Sequence, residues 1–159
     1  MERIERILVP TDFSEGSRRA AEFACFLAKV LGARLTLLHV FHMPTAEYGD
    51  AVYATVVDRI PSLLRSCEAA LQAEAALMKA GGFETATLLR EGNPAHEIVD
   101  AARSQKMDLV VIATHTHRGL ARGLLGSVAE KVVRLSPVPV LTIHAFDEDR
   151  EAERALGAG

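Results

Sequence analysis

The chain has 159 residues, 49% hydrophobic and 25% charged, a globular composition suited to one ordinary domain and not a disordered one. Its net charge of −3 gives no general attraction to nucleic acid or to an anionic membrane, and no apolar run approaches the ~20 residues of a membrane span. Two cysteines, Cys25 and Cys67, are too few for a secreted disulfide framework and read as buried reduced thiols in helices; with no apolar run in Met1 to Arg6 to suggest a signal peptide, a cytoplasmic protein is expected.

Arg6 to Pro10 is a short apolar run of strand type, and Thr11-Asp12-Phe13-Ser14 after it supplies several candidate helix caps. Apolar residues at helical spacing predict a helix from Glu15 to Leu31, stopped by Gly32. Leu35 to Phe41 reads as a second buried strand. His42 to Ile60, with Pro44, Gly49, Tyr48 and Tyr53, reads as a long loop that either covers a cleft or simply packs. Pro61 starts a helix that runs to Ala80 and ends at Gly81-Gly82. Ala86 to Arg90 is a third strand; Asn93 as N-cap and Pro94 at the first helical position open a helix to Gln105. Leu109 to Ala113 is a continuous apolar run, as expected of a strand covered on both faces. A mixed loop from Thr114 to Leu125 leads to a helix beginning near Val128 and ending before Pro137, and Val138 to Ile143 is the fifth strand. The domain is expected to span residues 1–146, with an acidic, frayed tail over 147–159.

Alternation of this kind predicts an α/β fold: an open, doubly wound, five-stranded parallel sheet with helices on both faces. In the order 3-2-1-4-5 the carboxyl ends of strands one and four are neighbours, which is where such sheets bind ligands. Those ends carry Asp12 and the loop from Thr114. Gly126-Ser127 stands at a helix start, where backbone N–H groups and the helix dipole favour an anion, and His117, Arg118 and Arg122 make the stretch basic. Two readings of Ser127 stand side by side: phosphate binding, or a Ser127-x-x-Glu130 capping box that needs no ligand. Asp12 likewise either accepts from an adenine amino group or caps the first helix. His39 and His42 read as structural or loop residues, His96 as solvated and His144 as strand-end surface. His115 and His117 have no Cys or carboxylate cluster to complete a metal site.

Taken in order, Ile7-Leu8-Val9-Pro10-Thr11-Asp12-Phe13-Ser14, Leu37-Leu38-His39-Val40, Gly92-Asn93-Pro94 with Ile98, Asp108-Leu109-Val110-Val111-Ile112, Leu124-Leu125-Gly126-Ser127-Val128-Ala129-Glu130-Lys131-Val132 and Ser136-Pro137-Val138-Pro139-Val140-Leu141 resemble the universal stress proteins over residues 4–144. The resemblance implies a dimeric stress-response or signalling module that binds an adenine nucleotide, ATP or AMP, with magnesium as a candidate companion. It implies a site at Pro10, Thr11, Asp12, Val40, Ile112, Ala113, His115, Thr116, Arg118, Gly126, Ser127 and Val128. Asp12 would face the adenine, Val40 would bond the base through its backbone, and Ala113 would line the ribose and phosphate side. Gly126, Ser127 and Val128 would hold the phosphates. It also implies a homodimer through the edge residues Val138, Pro139, Val140 and Leu141, whose apolar edge needs covering in any case.

Nucleotide binders of that family carry a loop of Gly, two residues, Gly, nine residues, Gly, then Ser or Thr. This chain keeps Gly126-Ser127 but has Ala113 and Thr116 at the earlier glycines. A β-branched Thr116 at a positive φ costs about 1–3 kcal/mol, roughly five- to 150-fold in affinity, which Arg118 or Arg122 would partly offset by pairing with phosphate oxygens. The alternative is therefore a nucleotide-independent protein-interaction module with an unknown protein partner. Catalysis is not the expected role: there is no P-loop Gly-x-x-x-x-Gly-Lys, no Gly-x-Gly-x-x-Gly after strand one and no nucleophile elbow. Slow ATP hydrolysis, with His115 or His117 as base, is the most that is expected. A phosphoacceptor receiver domain is excluded because strand three ends Leu89-Arg90-Glu91-Gly92 and strand five ends Thr142-Ile143-His144, without the acidic cluster and lysine it needs.

Overall fold

Alternating side chains decide the layers. In the computed structural model, which describes residues 3–42, 57–114 and 126–144, the first strand β1 (Arg6–Pro10) sends Ile7 and Val9 to one face of the sheet and Leu8 to the other, all fully buried. Successive strand side chains point to opposite faces, so a continuous apolar strand is the signature of a sheet covered on both sides. The remaining elements are α1 (Glu15–Leu31), β2 (Arg34–Phe41), α2 (Ile60–Ala80), β3 (Thr85–Glu91), α3 (Pro94–Ser104), β4 (Leu109–Ala113), α4 (Ser127–Leu135) and β5 (Val140–Ile143). The strands form one parallel sheet in the order β3-β2-β1-β4-β5.

Helices α1 and α2 pack on the face of Ile7, Val9, Leu37 and Val111, through small residues such as Ala20, Ala24 and Ala75 that let helix and sheet approach closely. Helices α3 and α4 cover the face of Leu8, Leu38, Val110 and Ile112, through Ile98, Ala101, Ala129 and Val132. The predicted helix limits hold where a cap fixes them. Ser14 caps α1 by accepting from the Ser17 N–H, and Gly32 ends it in the left-handed conformation at φ 69. Asn93 caps α3 with Pro94 at its first position.

Three expectations are corrected. Strand β5 begins at Val140 and not at Val138. The Val138 N–H donates to Ser136 Oγ, and the Ser136 hydroxyl donates to the Val138 carbonyl, so a turn occupies that residue. Cys25 and Cys67 are free but half-buried; burial, and then the charge of Glu22, push the Cys25 thiol up. The third correction concerns Ser127 and belongs to the site. Of the long loop expected over His42 to Ile60, residues 43–56 with Tyr48 and Tyr53 lie outside the described residues, as does the tail over 147–159. Among the described residues no helix is long and apolar enough to cross a membrane.

Candidate functional site

Two chain turns meet at the carboxyl end of the sheet, and each is held differently. The first leaves β1. The Thr11 N–H donates to the Leu38 carbonyl at 2.8 Å, so pairing with β2 runs one residue past the strand. Phe13 then adopts φ 64, a conformation unusual outside glycine. It is held by a hydrogen bond from its N–H to Thr11 Oγ1 and by its ring lying 4.4 Å from that of His39. His39 Nδ1 sits 2.8 Å from the Thr11 carbonyl oxygen. A carbonyl only accepts, so Nδ1 carries the proton. Asp12 Oδ1 accepts from the Ser14 N–H at 3.1 Å. Asp12 thus braces the cap residue, while Ser14 itself caps α1.

Behind this turn lies Glu74 of α2, whose Oε2 is 3.1 Å from Thr11 Oγ1. Burial raises the Glu74 carboxyl above its ordinary range; the hydrogen bond to Thr11 and the charge of Arg18 oppose this, Asp12 adds to it and His39 opposes it. Sequence reasoning missed Glu74. A signal existed, because Glu74 falls within the buried stripe Leu71, Ala75 and Met78 of α2, where a carboxyl group is out of place.

The second turn brings the chain back from β4. The Gly126 N–H donates to the Thr114 carbonyl at 2.8 Å. A Cβ on Gly126 would collide with that carbonyl oxygen, so no side chain fits there. Gly126 is therefore the N-cap of α4, and Ser127 is its first helical residue. This overturns the Ser127–Glu130 capping box: the Ser127 side chain is one position too late to cap, and the cap residue has no side chain. The N–H groups of Ser127, Val128 and Ala129 precede the first intrahelical bond, from Glu130 N–H to the Gly126 carbonyl, and have no partner within the helix. Thr114, buried, anchors the other side of the clasp: its N–H donates to the Ile143 carbonyl at 3.0 Å, and its Oγ1 is 3.0 Å from His144 Nδ1.

Between the turns lies a cavity of about 320 Å³. Pro10, Thr11, Asp12, Val40, Ile112, Ala113, Gly126, Ser127 and Val128, named from the sequence, all line it. His115, Thr116 and Arg118 lie outside the described residues. Ser17, Leu38, His39, Pro94, Ile98, Thr114 and Ala129 line it too. Of these, His39 read as structural and Ser17, Leu38 and Thr114 were not assigned to a site. Ala113, at one of the earlier glycine positions, pairs with Ile143 as an ordinary strand residue and has no positive φ, so its methyl group strains nothing. The walls are mostly apolar. Asp12 and His39 are the titratable groups among the described lining residues, none of which is Lys or Arg. An anionic group at the α4 end would meet backbone N–H groups and a helix dipole there.

An open parallel sheet with a pocket at the switch in strand order, between the ends of β1 and β4, defines a doubly wound α/β domain. Residues 3–144 match the family model described as "Universal stress protein family". The universal stress protein YxiE of Bacillus subtilis is 34% identical over 146 residues, which cover 87% of this chain and 98% of that one. Universal stress protein UspA from Lactobacillus plantarum superposes with a TM-score of 0.73 at 25% identity, covering 90% of this chain and 99% of that one. A universal stress protein solved in complex with cAMP superposes with a TM-score of 0.66 at 25% identity, covering 91% and 100%. The chain belongs to the universal stress protein family.

Proposed function

We propose that this protein binds an adenine nucleotide in the cleft between Asp12 and Gly126 and acts as a dimeric stress-response or signalling module, not as an enzyme with rapid turnover. The observation that carries the reading is the Gly126–Thr114 clasp. It sets the start of α4, whose first N–H groups have no partner within the helix, in the wall of a pocket that also offers apolar side chains and the Asp12 carboxyl group. The base would lie between Val40 and Pro10, with Asp12 accepting from its amino group. The phosphates would meet the N–H groups of Ser127 and Val128, and the Ser127 hydroxyl, released from capping, would add a donor. The volume is at the lower end of what small-molecule sites occupy. The cAMP complex of a relative supports the ligand class. Magnesium, if it accompanies a triphosphate, would be held largely by the nucleotide: among the described residues no cluster of three His, Cys, Asp or Glu forms a metal site.

The same reading takes β5 as the dimer edge. Val140 and Leu141 are half-buried and Pro139 is exposed, β5 is terminal in the sheet, and an apolar edge favours a partner strand. A thermal-melt titration with ATP and AMP, with and without magnesium, tests the ligand. Ligand at about 100 times its dissociation constant adds roughly 2.7 kcal/mol, so a saturable rise in Tm is expected, falling away in a folded Asp12→Ala variant. No shift at millimolar nucleotide would reject nucleotide binding and leave the interaction-module reading that Thr116 suggests.

A further inference from the structure

Behind the Asp12 turn, in contact with Thr11 but not itself lining the cleft, lies a carboxyl group that nucleotide binding does not itself require. Glu74 Oε1 is buried and has no hydrogen-bond partner among the described residues, while Oε2 is 3.1 Å from Thr11 Oγ1. An ionised carboxylate left this way is costly, because a buried acceptor carrying charge is stripped of water and given nothing in return.

The hydroxyl groups around it decide where the protons lie. Each hydroxyl has one proton to give and two lone pairs to receive with. Thr11 Oγ1 has three neighbours: the Phe13 N–H, Ser17 Oγ and Glu74 Oε2, each at 3.1 Å. Ser17 Oγ also has three: Thr11 Oγ1, Ser14 Oγ at 3.3 Å and the Ser14 carbonyl oxygen at 2.9 Å. The Ser14 carbonyl can only accept, so Ser17 gives its proton there. Ser17 then receives from Ser14 and from Thr11, and Ser14 Oγ in turn accepts from the Ser17 N–H at 3.2 Å. Thr11, having given its proton to Ser17, has none left for Glu74. Every contact is satisfied only if Glu74 brings the proton. If Glu74 is ionised the chain reverses: Thr11 turns its proton to the carboxylate, Ser17 turns its own to Thr11, and the Ser17–Ser14 carbonyl bond, the shortest in the network, is given up.

We propose that Glu74 is a positioning residue of the cleft, a neutral carboxylic acid that donates to Thr11 Oγ1 and fixes the direction of the Thr11–Ser17–Ser14 hydroxyl chain supporting the Asp12 turn. Thr11 and Ser17 both line the pocket and are almost fully buried, so reversing the chain alters the surface a ligand meets. The charged and titratable groups facing Glu74 are Arg18 from α1, Asp12 from the turn and His39 from β2. Burial, the largest influence, and Asp12 oppose ionisation, whereas a Thr11 hydroxyl turned to the carboxylate, Arg18 and His39 favour it.

The proton state of Glu74 stands on the network alone; its effect on a ligand rests on the adenine-nucleotide reading, and two measurements keep them apart. The first is a carbon-detected NMR titration of the side-chain carboxyl in the full chain without nucleotide, assigned by its absence in Glu74→Gln. The signal should remain that of a protonated acid well above the ~4.3 at which ordinary glutamates ionise. The second is AMP and ATP affinity against pH in the parent, Glu74→Gln and Glu74→Leu. The parent should weaken by about tenfold as pH rises through the Glu74 titration, the equivalent of one hydrogen bond. Glu74→Gln, whose amide donates without titrating, should lack that component of the profile. Glu74→Leu should bind about tenfold more weakly than Glu74→Gln at every pH. An ordinary titration of Glu74, or a Glu74→Gln profile that follows the parent's, overturns the proposal. If no variant binds nucleotide, the ligand reading fails, and the carboxyl titration still decides the state of Glu74.

Discussion

The two ends of the cleft are built from different materials. The Asp12 end is made by side chains: Thr11, Asp12, Ser14, Ser17, His39 and Glu74 hold one another and the backbone of the turn in a connected network. The Gly126 end is made by backbone: the N-cap of α4 has no side chain, and its one described tie to β4 is the bond from the Gly126 N–H to the Thr114 carbonyl. A side-chain network can be weakened by degrees and responds to protonation. A backbone clasp tolerates no added atom. The ends should therefore fail in different ways.

The largest effect is expected where an atom is added to the clasp. Gly126→Ala puts a methyl group against the Thr114 carbonyl at a separation that real side chains do not adopt. The turn must move, at a cost of about 1–3 kcal/mol. Thermal unfolding should show a fall in Tm, and the nucleotide-induced rise should vanish with it. A variant with both properties of the parent would mean that the turn is not tight and that the comparison of the two ends is wrong.

Next in size is the N-cap of α1. Ser14→Ala removes the acceptor for the Ser17 N–H and one donor to Ser17 Oγ, and a lost cap of this kind costs about 1 kcal/mol. In a domain of this length that corresponds to roughly 2–4 °C in Tm. Because Asp12 still braces the Ser14 N–H, the turn should persist, and nucleotide affinity should fall less than in Gly126→Ala.

A smaller effect separates the ends by pH. Burial raises the Glu74 carboxyl, so the folded chain holds that proton more tightly than the unfolded one. Stability from this group is full below the ordinary carboxylate pKa of ~4.3 and is lost as pH rises through the raised folded value. The Tm of the parent minus that of Glu74→Gln should decline over that window. The same difference taken for Gly126→Ala, with and without the Glu74 change, should show the same decline, because the described contacts of Glu74 lie at the Thr11 end and not at the Gly126–Thr114 bond.

The sequence made the architecture legible because both sheet faces are covered. Continuous apolar strands such as Leu109–Ala113, and helices closed by Gly32 or opened by Asn93-Pro94, leave few arrangements. The cleft residues of β1, β2, β4 and α4 were legible for the same topological reason: strand order alone brings their ends together. What stayed hidden depended on one-residue differences and on tertiary partners. Nothing local separates a cap at Ser127 from a cap at Gly126, since the Thr114 carbonyl that excludes a side chain is twelve positions away. Glu74 stands out only by falling in the apolar stripe of α2, and its partner Thr11 is visible only once the fold sets the two together. Val138 has the composition of a strand residue, but its N–H and its carbonyl both bond to the Ser136 hydroxyl and not to a neighbouring strand.

The smallest stability effect is the most discriminating. If Ser127 capped α4, Ser127→Ala would cost about 1 kcal/mol, as Ser14→Ala should. At the first helical position it caps nothing, and alanine is an excellent helix residue. The free protein should therefore unfold within about 0.5 kcal/mol of the parent. The proposed phosphate contact predicts a loss that appears only with ligand: a hydroxyl donor to a charged oxygen is worth about 1.5–3 kcal/mol, so nucleotide should raise the Tm of Ser127→Ala much less than that of the parent. Unchanged stability with an unchanged ligand response would leave the phosphate end to backbone N–H groups alone. Lost stability in the free protein would restore the capping box and remove the contrast between the two ends of the cleft.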